Sequence, residues 1–373
     1  MAENVTIHGD VEFALQQWNR DLVQRYPWNP VVFLTLLTIG IVGNGTVMFI
    51  YRLRMKKKME ERFFIPILAC MDFVACVFLC SFAIYQSFKP VTISSAPLCK
   101  SMMYLQHASS ACSLFMLLAI AFQRYKMVCR PFQRQMGQSM KYVAIGLAVT
   151  CGYLLFIPHV FLSNIVTVDS DIPGLHGQRC TTAAYTKTER TLQISYRLVI
   201  FCVFLLTIII MSLLYSLIAK TIIHRMRLMK SPMSPVSPRA TTERYTRAKS
   251  ITGPAALKKG DKEVFTFDSL RRKRRHFVTN RYSYMFMTIT AMAVISYIVP
   301  IILAISTGSS GTDVEKSLTY FIFKRLFVLS HIVNPFIYGA FDHTFREHMG
   351  SLCVAPVGRR ESRSTVNSIH SSD

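Results

Sequence analysis

The sequence predicts an all-α membrane protein built as a bundle of seven transmembrane helices. Only 17% of the 373 residues are charged and 51% are hydrophobic, whereas soluble domains carry about 25% charged residues. Seven long apolar runs each approach the roughly 20 residues that a helix needs to cross the hydrocarbon core. Each run is continuously apolar, which favours helices over barrel strands, where apolar and polar residues alternate.

The seven predicted spans divide the chain into three parts. They are approximately Val31–Tyr51, Phe63–Phe88, Ser101–Gln123, Tyr142–Val168, Leu198–Ala219, Tyr282–Ser306 and Leu318–Phe341. Lys324 and Arg325 interrupt the seventh run. The predicted parts are an extracellular segment at 1–30, the bundle at 31–341 with a disordered cytoplasmic loop at 220–281, and a cytoplasmic helix and tail at 342–373.

The distribution of basic residues predicts how the bundle is oriented. Of the 43 Lys and Arg residues, 32 fall in one alternate set of loops and the C-terminal tail, and 9 in the other set and the N-terminal segment. The positive-inside rule therefore places the N-terminus outside the cell and the C-terminus in the cytosol. Because the net charge of +23 lies in blocks between apolar runs, a lipid bilayer is the expected partner and nucleic acid is not.

Features of the outer segments predict two covalent modifications. Residues 1–30 are polar, so no cleavable signal peptide is expected, and Asn4 begins an Asn-Val-Thr glycosylation sequon. Such triplets also arise by chance, so glycosylation and its absence both stay open. Of ten cysteines, Cys99 and Cys180 alone fall in outer segments, where the oxidising environment favours a disulfide between them. Two separate thiols are the alternative.

Polar residues inside the spans are candidate functional groups, because burying charge in a membrane is costly. Asp72 is the only acid in the seven runs. Other polar residues that could face it are Asn44, Ser113, Ser330 and Asn334. These residues indicate either a hydrated cation site or a polar cluster that only joins helices.

The third, sixth and seventh spans carry further candidates. Cys99 and Arg124 are 25 residues apart, about 37 Å along a helix, so one lies at the outer end and the other at the inner mouth. By itself, Arg124 also fits an interfacial side chain that snorkels to water. Pro300 and Pro335 remove backbone hydrogen bonds and predict kinks, either static or acting as hinges.

Together these residues resemble the rhodopsin-like G-protein-coupled receptors, over roughly residues 30–353. The matching motifs, in order, are Gly43-Asn44, Leu68-Ala69-Cys70-Met71-Asp72, the cysteine pair, Arg124-Tyr125, Pro300 and Asn334-Pro335-Phe336-Ile337-Tyr338. Phe345-Arg346 follows, as in the short amphipathic eighth helix of the family, and Cys353 stands where such receptors are often palmitoylated.

The resemblance implies roles for these residues. Asn44, Asp72, Ser113, Ser330 and Asn334 would form a sodium pocket, so Na⁺ is the one metal expected and no other cofactor is. Arg124 and Tyr125 would meet a heterotrimeric G protein, and Tyr215, Pro300, Pro335 and Tyr338 would take part in activation. Agonist and G protein would favour the same open arrangement of the inner helix ends.

Several positions depart from the family pattern. Gln123 replaces the acid that usually precedes the arginine, so the salt bridge that restrains Arg124 is absent and weaker restraint of the inactive state is expected. The sixth span reads Tyr297-Ile298-Val299-Pro300 without the usual Trp, the fourth span lacks its Trp, and Thr207 stands where a Pro is usual. The chain is therefore a divergent member by resemblance.

The candidate ligand pocket disfavours amines. Gln106, followed by His107, stands where amine receptors carry an Asp, and a Gln there resembles many peptide receptors. Lys324, with Arg197 and Arg325, is placed to bind a carboxylate. The alternative is that these cations snorkel or pair with Asp313 or Glu315. A neuropeptide-like ligand is the leading prediction, and a carboxylated lipid or small acid is the second.

The cytosolic segments predict regulation at the plasma membrane. Ser-Pro pairs at 231–238 and a serine-rich stretch from Ser362 to Ser372 are candidate phosphorylation sites for receptor kinases, with arrestin as the reader of the added charge. The basic run 271–275 would touch G protein or anionic lipid, or serve only to fix topology. A transporter or channel is the rival class, but no internal repeat or pore-lining segment supports it. No catalytic residues are predicted, because His107, His159 and His331 lie on three different spans without a metal-binding spacing.

Overall fold

A computed structural model of the chain describes residues 2–54, 62–182, 186–230, 260–306 and 313–353. Within them, seven helical segments are long and apolar enough to cross a membrane. The spans are Trp28–Leu53, Ile65–Phe88, Ala96–Cys129, Gln138–Leu162, Lys187–Arg227, Asn280–Leu303 and Val314–Phe341. The prediction of seven spans in an all-helical bundle is confirmed.

The helices are numbered in chain order. They are α1 (Ala2–Arg25), α2 (Trp28–Phe49), α3 (Ile65–Phe88), α4 (Ala96–Cys129), α5 (Gln138–Phe156), α6 (Pro158–Leu162), α7 (Lys187–Lys230), α8 (Gly260–Ser306), α9 (Val314–Thr319), α10 (Leu329–Ile332), α11 (Asn334–Phe341) and α12 (His343–Cys353). A π-helical turn, Ile50–Arg54, follows α2, and a 3-10 helix, Phe323–Val328, precedes α10.

The fourth span is shorter than predicted. Helix α5 ends at Phe156 and α6 restarts at Pro158, because proline has no N–H to donate and fits best in the first helical turn. Residues Ser163–Asp169 then form strand β1 and not the end of the span. Its β-branched run Ile165-Val166-Thr167-Val168 fits a pleated strand better than a helix. The prediction that this span extends to Val168 is therefore wrong.

Strand β1 pairs with β2 (His176–Thr182) in an antiparallel hairpin, with Ser163 opposite Thr182. The turn contains Gly174 at φ 83°, a conformation that glycine adopts without strain. A disulfide joins Cys99 at the start of α4 to Cys180 in β2. As predicted, it fixes the hairpin over the Cys99 end of the third span; this end is called outer, and the Arg124 end inner, after the predicted orientation.

The N-terminal segment is helical and is not merely a polar stretch. Helix α1 packs on the outer loops through Leu22, which is buried with Val91 and Val168. Asn19 donates a hydrogen bond from Nδ2 to the Phe88 carbonyl and accepts one from the Thr92 hydroxyl. The side chain of Asn4, the predicted glycosylation site, lies outside the described residues.

The seventh span is interrupted where its two cations lie. Helix α9 ends at Thr319, the 3-10 turn carries Lys324 and Arg325, and α10 and α11 follow. Pro335 lies in the first turn of α11, so it begins a helix and does not kink a continuous one. A Cβ at Gly43 would lie 2.9 Å from Pro335 Cγ, so the glycine permits the close approach of the first and seventh spans.

Helix α12 confirms the predicted eighth helix. Asp342 precedes it and accepts hydrogen bonds from the backbone N–H groups of Thr344 and Phe345, which satisfies donors that a helix start leaves open. Phe345 is buried against Tyr51, with their rings stacked at 5.6 Å. The side chain of Cys353, the predicted palmitoylation site, lies outside the described residues.

Close packing of the third and fourth spans gives a stability prediction. A Cβ at Gly152 would lie 2.8 Å from the backbone nitrogen of Cys112 and 2.5 Å from its sulfur. Gly152→Ala should therefore destabilise the bundle by about 1–3 kcal/mol, the usual cost of overpacking. The measurement is the thermal unfolding midpoint of the purified protein. Gly146→Ala, on the same helix with open space around its added methyl group, is the matched control and should leave the midpoint unchanged.

Candidate functional site

Asp72 is fully buried and accepts three hydrogen bonds, from side chains of the third and seventh spans. Its Oδ1 accepts from the Ser113 hydroxyl and lies 2.9 Å from His331 Nδ1. Its Oδ2 accepts from Asn334 Nδ2 at 2.6 Å. A carboxylate only accepts hydrogen bonds, so His331 carries its proton on Nδ1 in this contact. The polar cluster therefore joins the second, third and seventh spans.

Two predicted members of the sodium pocket lie elsewhere, and an unpredicted residue takes their place. Asn44 donates from Nδ2 to the carbonyls of Gly40 and His331, and Ser330 donates to the Phe327 carbonyl. Neither side chain contacts Asp72. The Ser330 hydroxyl donates within its own helical turn, while the imidazole of the next residue, His331, contacts the Asp72 carboxylate.

Both carboxylate oxygens of Asp72 accept hydrogen bonds from the protein, two on Oδ1 and one on Oδ2. A hard cation takes oxygen ligands, and an ion that bound Oδ1 from the side of His331 would have to displace the imidazole N–H. The allosteric Na⁺ site therefore stays a prediction.

The inner end of the third span holds Arg124 with no exposed surface. Its guanidinium lies over the Phe286 ring at 4.6 Å and near the Tyr282 ring at 5.9 Å, so the sixth span covers it. Gln123 is buried beside it. The alternative in which the Arg124 side chain snorkels to water does not hold in this structure, because that side chain faces the protein interior.

Tyr125, Tyr215 and Tyr338 lie near this end of the bundle, whereas Pro300 lies near the outer end of the sixth span. Tyr215 and Tyr338 are buried; the Tyr215 hydroxyl lies near Thr290, and the Tyr338 hydroxyl has no hydrogen-bond partner in the described part of the chain. A buried hydroxyl without a partner costs about 1–3 kcal/mol, so an arrangement that satisfies Tyr338 would be favoured. Tyr125 is half-buried and accepts a hydrogen bond from Arg130. Pro300 lies inside α8.

A second buried cluster at the inner face is absent from the sequence predictions. We call it the Asp342 cluster: Tyr51, Arg62, Tyr282 and Asp342. The hydroxyls of Tyr51 and Tyr282 donate to Asp342 Oδ2 at 2.7 and 3.0 Å, and Arg62 Nη2 donates to Oδ1 at 3.1 Å. Arg62 Nε also donates to the Tyr282 hydroxyl at 2.6 Å. Burial acts to lower the pKa of Arg62, but Tyr282 and Asp342 outweigh it and raise that pKa.

The Asp342 cluster connects segments that are far apart in the chain. Tyr51 ends the first span, Arg62 precedes the second, Tyr282 lies on the sixth and Asp342 follows the seventh. The cluster thus ties the inner end of the sixth span to the start of α12. No local pattern marks these four residues, and only the fold brings them together.

In the outer half of the bundle, Gln106 is buried and its Oε1 has no hydrogen-bond partner in the described residues. His107 Nδ1 contacts the Met103 carbonyl at 2.7 Å. The rings of His107 and His159 stack with centroids 4.6 Å apart. Two histidines predicted on separate spans therefore meet, although the described residues contain no group of three metal-binding side chains.

The predicted cations of the ligand pocket divide between two places. Arg197 donates to the Thr182 hydroxyl at 3.0 Å, at an exposed position near the end of the hairpin. Lys324 lies on the 3-10 turn beside Arg325, and both are close enough to Arg179 to repel it. Sequence reasoning missed Arg179, which lies in β2 next to the disulfide.

Comparisons with known proteins agree with this architecture. Residues 43–338 match the model of the family "7 transmembrane receptor (rhodopsin family)". Squid rhodopsin superposes with a TM-score of 0.63 at 18% identity, covering 88% of this chain and 80% of that chain. At this identity the likeness shows the fold alone.

Three curated relatives are similar over parts of their length. The human cholecystokinin receptor type A is 23% identical over 52% of this chain and 46% of its own length. The sheep bombesin receptor subtype-3 is 24% identical over 52% and 48%, and the pig chemerin-like receptor 1 is 30% identical over 40% and 39%. The chain thus spans about half the length of these relatives or less. Since the family match covers most of the chain, this protein belongs to the rhodopsin family of seven-transmembrane receptors, which are receptors and not enzymes.

Proposed function

We propose that the protein is a plasma-membrane receptor that binds an extracellular neuropeptide-like ligand and activates heterotrimeric G proteins. The observation that carries the proposal is the buried Arg124 at the inner end of the third span, covered by Phe286 and Tyr282 of the sixth. Outward movement of the sixth span would expose Arg124 to a G protein. Agonist binding at the outer end would favour the same arrangement.

A peptide ligand is supported by two features. The distant relatives are receptors named for cholecystokinin, bombesin and chemerin. Gln106 stands at the depth where an acid would pair with an amine ligand, and its Oε1 has no partner in the described residues. A carboxylated lipid or small acid is the second candidate, and the cations Lys324 and Arg325 favour it.

The proposed topology places α1 and the hairpin outside the cell and α12 inside, with kinases and arrestin acting at the serine-rich tail. The experiment uses epitope tags at the two termini in intact and permeabilised cells. Staining of the N-terminal tag without permeabilisation, and of the C-terminal tag only after it, is the expected result. Both tags on the same face would contradict the receptor assignment.

Receptor signalling gives a direct test with a matched variant. The wild-type chain expressed in cells should raise second-messenger levels without added ligand, and Gln123→Asp should lower them several-fold. The substitution supplies the acid that can pair with Arg124, and a buried pair of this kind favours the closed arrangement. Second-messenger levels corrected for surface expression of the receptor are the measurement. Basal levels no higher in wild type than in Gln123→Asp would contradict the weaker restraint of the inactive state.

A synthetic peptide library is then screened on the same cells. Solute uptake or current without G protein would favour the transporter or channel class.

A further inference from the structure

Three cations converge where the hairpin meets the second and seventh spans. Arg325 donates from Nη2 to Gln86 Oε1, and Gln86 donates from Nε2 to the Cys180 carbonyl at 3.3 Å. A single amide side chain therefore links Arg325 to the residue that follows Arg179. Lys324 is the third member and repels both guanidinium groups. We call Arg179, Lys324 and Arg325 the outer basic cluster.

The outer basic cluster has no carboxylate partner of its own. Among the described residues, no acid lies within 4 Å of any of the three cations; the ion pairs that are present involve other side chains. Asp313 attracts Arg179 without forming an ion pair with it, and its carboxylate accepts from the Lys316 N–H at the start of α9. The neighbouring stretches 183–185 and 307–312 contain no acid either.

The buried guanidinium of Arg179 is only partly satisfied by hydrogen bonds. Burial lowers its pKa to about 10, and the attraction of Asp313 opposes this only in part. Its Nη2 donates to the Ser317 hydroxyl at 3.1 Å, while its buried Nη1 has no hydrogen-bond partner among the described residues. A buried charge without a hydrogen-bonded partner is unfavourable. An anion that accepted from Nη1 would offset part of the desolvation cost of Arg179 and the repulsion among the three cations.

Arg325 is fixed in place rather than mobile. It stacks on the Phe321 ring at 3.9 Å and donates from Nη1 to the Phe321 carbonyl at 3.3 Å. With Nη2 on Gln86, its terminal nitrogens already have partners, so it supplies mainly charge. The donors left for a ligand are Arg179 Nη1 and the Lys324 ammonium, which makes no hydrogen bond or ion pair in the described residues. Two such donors match the two oxygens of one carboxylate.

We propose that the outer basic cluster is the binding site for a carboxylate of the ligand, such as an acidic side chain of a peptide. Arg179 and Lys324 donate to the carboxylate oxygens, and the positive charge of Arg325 stabilises the negative charge of the carboxylate. This inference rests on the proposed function that the chain binds an extracellular ligand. It names the chemistry that the ligand must carry.

The test uses the purified full chain and small probes, so it needs neither agonist nor G protein. Thermal unfolding is followed in glutarate, in neutral glutaramide and in sulfate at equal ionic strength. Glutarate should raise the unfolding midpoint of the wild type by several degrees, because a ligand of the native state stabilises it. Glutaramide should have no effect, and sulfate should have less effect than glutarate.

Substitutions then place the probe at the cluster. Arg179→Gln and Lys324→Gln should abolish the glutarate shift, whereas Arg190→Gln, an exposed arginine at the outer end of α7, should retain it. Arg325→Lys keeps the positive charge and should retain at least half of the glutarate shift. It is the variant to use if Arg325→Gln is unstable. An equal shift in Arg179→Gln and Arg190→Gln, a larger shift with sulfate, or no shift in the wild type would overturn the proposal. Signalling without a glutarate shift would contradict the carboxylate site but not the receptor function. A glutarate shift without signalling would contradict the receptor function but not the carboxylate site.

Discussion

Tyr282→Phe is expected to raise ligand-independent signalling about tenfold above wild type. The substitution removes one hydroxyl, which donates to Asp342 at 3.0 Å and accepts from Arg62 at 2.6 Å. A hydrogen bond to a charged group contributes about 1.5–3 kcal/mol. Its loss from the closed arrangement alone therefore favours the open one by a factor of about ten or more.

We expect this effect because the predicted weaker restraint by position 123 leaves the closed arrangement more dependent on the Asp342 cluster. Gln123 cannot form an ion pair with Arg124, which stacks instead on Phe286. Tyr282 donates a hydrogen bond to Asp342 and accepts one from Arg62, and these polar contacts hold the inner end of the sixth span against α12. Asp342→Asn should act in the same direction, but Asp342 also caps α12, so Tyr282→Phe is the cleaner change.

Second-messenger levels per receptor at the cell surface are the measurement. Tyr284→Phe is the matched control: the same atom is removed from the same helix, half-buried, where no side-chain hydrogen bond is lost within the described residues. Basal signalling equal in the two variants would show that the Asp342 cluster does not restrain the sixth span. Combining Tyr282→Phe with Gln123→Asp should return basal signalling toward wild type, since one restraint replaces the other.

The sequence predicted the spans well because crossing a membrane is a local requirement. About 20 apolar residues in a row satisfy it whatever the rest of the chain does, and the loops alone carry the charge that orients them. The fourth span was overextended for the same reason. The run through Val168 is apolar enough to cross, but Pro158 and a β-branched stretch turn it into a hairpin that covers the bundle.

The functional sites were predicted less completely because they depend on contacts between distant segments. The contacts of Asp72 with Ser113 and Asn334 agree with the sequence prediction. Each is a polar side chain in an apolar span, where few other polar partners are within reach. His331 was not predicted beside Asp72, because a cation site favours oxygen ligands and an imidazole supplies none. Arg179 was missed because an arginine in an outer loop is ordinary until the fold packs its strand, β2, against the start of the seventh span.

Replacing His331 is expected to create a sodium response that the wild type lacks. In the wild type the imidazole N–H lies 2.9 Å from Asp72 Oδ1, so an entering ion would have to displace a hydrogen bond to a buried carboxylate. His331→Ser removes the ring, leaves space and supplies a hydroxyl oxygen, the kind of ligand a hard cation takes. Asp72 would then lose one donor and hold a negative charge that an ion can neutralise.

The measurement is the unfolding midpoint of the purified protein in sodium chloride against choline chloride at equal ionic strength. The wild type should show no difference, and His331→Ser should unfold several degrees higher in sodium, because the ion binds the native state alone. Adding Asp72→Asn to His331→Ser should abolish the difference, since the amide cannot neutralise the ion. Ser216→Ala, which removes an exposed hydroxyl on the fifth span, is the control for a general salt effect. A sodium response of equal size in the wild type and in His331→Ser would mean that the imidazole yields to the ion, and that Asp72 serves as a sodium ligand after all.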